Sequence, residues 1–203
     1  EKMGAYLASS FSGSKILVLT EPQVGSAPRA SADLITGLKK GLGSALTITA
    51  EVAPEIPRGG SDGMPQEGAM VGEPSLEGPV LPPMRFWYNA KALDTILSSQ
   101  SGFDILVTTI GLPADASSST ILKNAKKRPR IAILAGSISE LKGTFREDMV
   151  VAGVAPNPKA DYENKSIPKN LDEAFGRRFV LVVAENVMQA AADSPGIFST
   201  AGR

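Results

Sequence analysis

The sequence predicts an α/β fold: a three-layer α/β/α domain on a mostly parallel sheet. Three observations carry this reading. Six short segments, at 15–21, 45–52, 103–110, 130–135, 149–155 and 179–185, are largely apolar and rich in β-branched residues. Apolar residues between them recur at helical spacing. The joints are Gly, Pro, Ser, Thr and Asn. Apolar strands alternating with helices are what a parallel sheet covered on both faces requires.

The elements follow in order. "EKMGAYLASSF" places Met3, Tyr6, Leu7 and Phe11 on one helical face, and Ser12-Gly13-Ser14 ends it. "KILVLTE" is the first strand. In "ASADLITGLKKGLG" Leu34, Ile35, Leu38 and Leu42 form a stripe, Ser31 is the cap and Gly43 the stop. "ALTITAEVAP" alternates as a second strand. "MRFWYNAKALDTILSSQSG" predicts a helix buried through Leu93, Ile96 and Leu97. "FDILVTT" is the third strand and "SSSTILKNAKKR" its following helix. "RIAILAGS", "SISELKGTFRED", "MVVAGVAPN", "NLDEAFGRR", "FVLVVAEN" and "VMQAAADS" continue the alternation, with an irregular tail from Gly196.

Residues 1–203 are expected to form one domain, interrupted at 54–83 by a Gly/Pro-rich insertion. That segment exceeds an ordinary connection, and its composition predicts a functional loop or a flexible insertion. No solenoid repeat is visible.

Composition removes several function classes. The 203 residues include no Cys and no His. Disulfides, thiolate nucleophiles, Cys/His metal sites and a Ser-His-Asp triad are excluded. No EF-hand-type carboxylate loop is present, so no metal is expected. Basic and acidic residues balance at 21 each. No net field favours nucleic acid, and the block Lys123 to Arg130 reads as the solvated end of a helix. No apolar run approaches the ~20 residues that span a bilayer. Glu1 in place of an initiator Met points to something upstream, where a signal or anchor would lie. The expected location is periplasmic or secreted, with cytoplasmic as the alternative.

Ligands of open parallel sheets bind beyond the carboxyl ends of the strands. The candidates there are Glu21, Gln23 and Ser26 after strand one; Thr108, Thr109 and Gly111 after strand three; Gly136 and Ser137 after strand four; Asn157 after strand five; and Asn186 after strand six. These residue types also build turns and cap helices. Thr108, Thr109 and Ser137 are expected side by side, in a donor-rich hollow suited to a small polar or anionic ligand. Walker A and G-x-G-x-x-G patterns are absent where a phosphate cradle would need them, so no nucleotide cofactor is expected. Glu21 and Glu185 end strands, but nothing in the sequence pairs them for acid–base work. Phe86, Trp87 and Tyr88 could stack on a ring, anchor the insertion or fill an interface.

From Lys15 to Asn157 the order of elements resembles the N-terminal lobe of type I periplasmic binding proteins. The resemblance lies in "KILVLTEPQVGSAPRASADLITGLKKGLG", "ALDTILSSQSGFDILVTTIGLP" and "AKKRPRIAIL". Flavodoxin-like and receiver folds share much of this pattern, but strand three ends in Thr108-Thr109 and not in a phosphoacceptor Asp. The resemblance implies a small ligand held at the strand ends. It departs in offering one lobe where that family closes two, and in the insertion.

The sequence thus predicts a non-catalytic, exported domain binding a small polar ligand or a protein. A homo-oligomeric assembly subunit and a carboxylate-dependent hydrolase-like enzyme are the alternatives.

Overall fold

A computed structural model describes residues 1–23, 29–56, 83–164, 166 and 168–198. Most of the 54–83 insertion, residues 57–82, lies outside the described residues, as does Ser26.

Among the described residues six strands form one sheet: β1 (Lys15–Leu19), β2 (Thr47–Val52), β3 (Ile105–Thr108), β4 (Arg130–Ile133), β5 (Val150–Pro156) and β6 (Phe179–Val183). Their order is β2-β1-β3-β4-β5-β6. The first five run parallel, and β6 pairs antiparallel with β5. All six segments read from the sequence are strands, and the sheet is mostly parallel as expected. β6 starts at the edge where β5 ends, so its connection has no need to cross the sheet.

Among the described residues seven α-helices surround the sheet: α1 (Lys2–Ser10), α2 (Ala32–Leu42), α3 (Ala90–Ser99), α4 (Thr120–Lys123), α5 (Lys142–Arg146), α6 (Leu171–Arg178) and α7 (Val187–Asp193). Strand alternation divides the apolar side chains into two cores. Ile16, Val18, Ile105, Val107 and Ala132 face α1 and α2, packing on Met3, Leu7, Ile35, Leu38 and Leu42. Leu17, Leu19, Leu106, Ile131 and Ile133 face the other way, onto Leu93, Leu97, Leu122, Phe145 and Val187. β1, β3 and β4 are buried along nearly their whole length, whereas edge strand β2 alternates between exposed and half-buried residues.

The helix after β3 is shorter than its periodicity predicts, and the one after β4 is short, as the sequence predicts. The periodic segment "SSSTILKNAKKR" forms only four helical residues in α4, and "SISELKGTFRED" only five in α5. At 1.5 Å per residue each helix is about 6–8 Å long, too short to cover the strand beneath it. This thin part of the helical layer positions the site.

Candidate functional site

The register aligns the strand ends. Leu19, Thr108 and Ile133 stand level across β1, β3 and β4. The loops that follow therefore emerge side by side.

At the switch in strand order, between β1 and β3, polar groups satisfy one another. The Glu21 carboxylate accepts from the Ser31 backbone N–H (2.8 Å) and from Thr20 Oγ1 (3.0 Å), and the Thr20 and Ser31 hydroxyls share a 2.6 Å hydrogen bond. Burial alone would raise the Glu21 carboxyl, but the hydrogen bonds from Ser31 and Thr20 hold it below its ordinary value. This carboxylate at the foot of α2 suits the positive end of that helix. Arg29, close by in the chain, keeps a buried Nε without a hydrogen-bond partner among the described residues. Gln23 is exposed.

Thr108 and Thr109 are both buried. Thr108 Oγ1 donates to Gly111 O (2.9 Å) and accepts from Ile110 N–H (3.2 Å), closing its own turn. Thr109 Oγ1 donates to Leu19 O (3.3 Å) and ties β3 to β1. Gly111 and Gly136 have φ of +77° and +113°, which non-glycine residues rarely adopt. A Cβ on Gly136 would lie 2.5 Å from the Gly111 Cα, so the loops after β3 and β4 touch backbone to backbone.

The loop after β3 is anchored twice more. Asp115 Oδ1 accepts from Ala90 N–H (2.8 Å) at the start of α3, and the buried Tyr88 hydroxyl donates to Gly111 O (3.4 Å). Burial pushes the Tyr88 phenol well above its ordinary value.

Asn157 and Asn186 are engaged elsewhere. Asn157 Nδ2 donates to Gly176 O (2.7 Å), and its Oδ1 accepts from Lys159 N–H (2.9 Å). Because β6 is antiparallel, Asn186 lies at the opposite end of the sheet from Thr108. This corrects its expected place among the carboxyl ends of parallel strands. Its side chain accepts from Val183 N–H (2.8 Å) and donates to Leu181 O (2.9 Å), occupying outward-facing groups of edge strand β6.

Ser137 is different. It is exposed, hydrogen-bonds to the Ser139 hydroxyl (2.8 Å), and lines a cavity of about 750 Å³. The cavity starts at the carboxyl ends of β3 and β4 and runs between α4 and α5 as far as Arg128 and Met149. One wall is the Met84–Tyr88 turn; the next is the Ile110–Ser117 loop with Leu122; the third is Ser137 to Leu141 with Thr144. Of the ten residues singled out in the sequence, nine are described, and among those Ser137 is the one that lines this cavity. The expected adjacency holds for the backbones, which meet at Gly111 and Gly136, but the hydroxyls diverge: those of Thr108 and Thr109 turn inward and that of Ser137 outward.

Sequence reasoning missed most of the lining, because the gap exists only where two helices stop early. Of the aromatic group noted at 86–88, Tyr88 does reach the cavity. A second cavity of about 590 Å³ opens at the amino ends of β3 and β4, with Lys126, Lys127, Arg130, Asp104, Glu147 and Asp148 mixed around it. Among the described residues no group of three or more carboxylates could hold a metal ion, and no helix is long and apolar enough to cross a membrane.

No protein-family model matches the chain, and no curated protein does. Among solved structures, the chain is similar to one from Mycobacterium smegmatis in complex with β-D-fucofuranose. The superposition has a TM-score of 0.51 at 14% identity and covers 96% of this chain. The chain spans 59% of the length of that neighbour. At this identity the likeness shows the fold: a single α/β lobe.

Proposed function

We propose that the protein binds a small ligand in the cavity between α4 and α5, and does so without chemistry of its own. The observation that carries this reading is the cavity itself. Its volume falls in the range of small-molecule sites, and it combines an apolar lining (Ile110, Leu112, Leu122, Leu141, Met149) with hydroxyls at Ser117, Ser137, Ser139 and Thr144. It lies at the carboxyl edge of the sheet, where α/β folds place ligands. Among the described residues the lining holds one carboxylate, Glu140, and paired-carboxylate catalysis finds no second member among them. The M. smegmatis neighbour's sugar makes a monosaccharide the first probe to try. The resemblance to a periplasmic binding lobe points the same way, and with it we propose an exported domain.

Thermal-shift and calorimetric titration with D-fucose, D-galactose and D-ribose, followed by a wider metabolite set, tests this. A ligand found in this way is expected to lose binding in Ser117→Trp, which fills the cavity from an exposed position. It should keep binding in the Thr108→Val/Thr109→Val double variant, whose lost hydroxyls face inward. The reverse pattern would move the site to the switch point and sink the proposal.

Self-association is a second reading, favoured by Phe86, which is 65% exposed beneath the Arg85 guanidinium. Light scattering decides it: a dimer mass that Phe86→Ser returns to monomer supports it, and a monomer at all concentrations removes it.

A further inference from the structure

The charges around the cavity are one-sided. Among the described residues Arg85, Lys123 and Arg128 line it, against Glu140 alone. The whole chain balances at 21 basic and 21 acidic residues, so this excess is local. Among the described residues, none of these four groups belongs to an ion pair. The ion pairs present are Lys2–Asp172, Lys39–Glu51, Lys40–Glu1 and Arg177–Glu173, all elsewhere. Arg128 is half-buried, lines this cavity and the second one alike, and is held by its Nη2 hydrogen bond to Glu147 O (2.9 Å). Lys123 closes α4 on the same wall. The same lining carries the apolar side chains of Leu122, Leu141 and Met149.

Resting on the ligand-binding reading above, we infer that the occupant is an organic anion: a compact body that covers the apolar lining and carries a carboxylate or phosphate toward Lys123 and Arg128. Such a group supplies the countercharge that the described residues leave out. A neutral occupant would desolvate part of these cations and return nothing to them. A charge-assisted hydrogen bond is stronger than a neutral one, so the anionic group contributes more than a hydroxyl would at the same place.

Matched pairs test this on the full chain by calorimetry: D-glucose against D-glucuronate and glucose 6-phosphate, and octanol against octanoate. The acid of at least one pair is expected to bind about tenfold more tightly than its neutral partner. That advantage should shrink several-fold in Lys123→Gln and in Arg85→Gln, both exposed and chosen to leave the fold intact. It should also fall as sodium chloride is raised. Comparing glucuronate with glucose 6-phosphate tells carboxylate from phosphate, and comparing the sugar acids with octanoate identifies the body. Neutral members binding as tightly as their acids, with Ser117→Trp still abolishing both, would overturn the anion inference and leave the ligand-binding proposal standing. Acid preference unaffected by Lys123→Gln, Arg85→Gln and Arg128→Gln would also overturn it. Absence of binding by every probe and by the wider metabolite set would remove both.

Discussion

Gly136 and Gly111 show how much of the site is decided by single atoms. Their backbones meet where the loops after β3 and β4 cross, and a methyl group on Gly136 would lie 2.5 Å from the Gly111 Cα and 2.8 Å from its nitrogen. Gly136→Ala is therefore expected to cost about 2–4 kcal/mol in urea unfolding, from positive φ and overlap together. Gly176 in α6 is exposed and has open space around it. Gly176→Ala should raise stability by about 0.5–1 kcal/mol, because it lowers only the unfolded chain's freedom. Equal effects at the two positions would contradict the backbone contact. The sequence showed both Gly111 and Gly136 at strand ends, but a glycine that admits a ligand and one that admits another loop look the same in one dimension. Thr108 and Thr109 carry the same ambiguity: a hydroxyl at a strand end can face outward or close its own turn, and χ1 decides which.

Among the elements, α4 is held chiefly by a residue on a different helix. Asp94 of α3 accepts from the Ser119 hydroxyl, from Thr120 N–H (2.8 Å) and Thr120 Oγ1 (2.7 Å), and from Ile121 N–H (3.4 Å). Burial would raise this carboxyl, but the donors from Ser119 and Thr120 outweigh it and hold it below its ordinary value. Asp94→Ala should lower stability by about 1–2 kcal/mol, as loss of a helix cap does. It should also loosen the cavity wall at Leu122. The sign of the pH effect follows. Glu21 and Asp94 both have depressed pKa values in the fold, so each adds stability above the ordinary carboxylate range, about pH 4. That contribution is lost as the pH falls through the folded-state value. Glu21→Gln with Asp94→Asn should lower the neutral-pH Tm and flatten its decline in acid; an acid limb identical to the parent's would refute the assignment. Asn186 acts at another edge. With its amide occupying Val183 N–H and Leu181 O, Asn186→Ala exposes the β6 edge and should raise aggregation on heating.

For the whole molecule, stability is graded across the sheet. β1, β3 and β4 are buried on both faces by two cores, while β2 and β6 lie at its edges. Hydrogen exchange should therefore be slowest at the amides of 16–19, 105–107 and 131–133, and faster in β2 and β6. Slow exchange in β6 matching that of β3 would show that the edge is covered in solution. The fold class was legible in the sequence because both of its determinants are local: apolar runs with β-branched residues, and helical periodicity between them. Strand positions, parallel direction and the helical stripes of α2 and α3 follow from these, except that Leu34, expected in the α2 stripe, is exposed while Ile35, Leu38 and Leu42 are buried. The early end of α4 was not legible. Lys123 to Arg130 continues a helix-compatible composition, yet the chain leaves the helix at Asn124 and turns toward Pro129. Nor was the antiparallel sense of β6, which depends on the edge to which the long connection after β5 returns. Local free energy set the elements, while packing decided where helices stop, which hydroxyls turn inward and where three cations share one cavity. Side-chain direction and loop contact depend on neighbours distant in sequence, so only the tertiary structure could place the site.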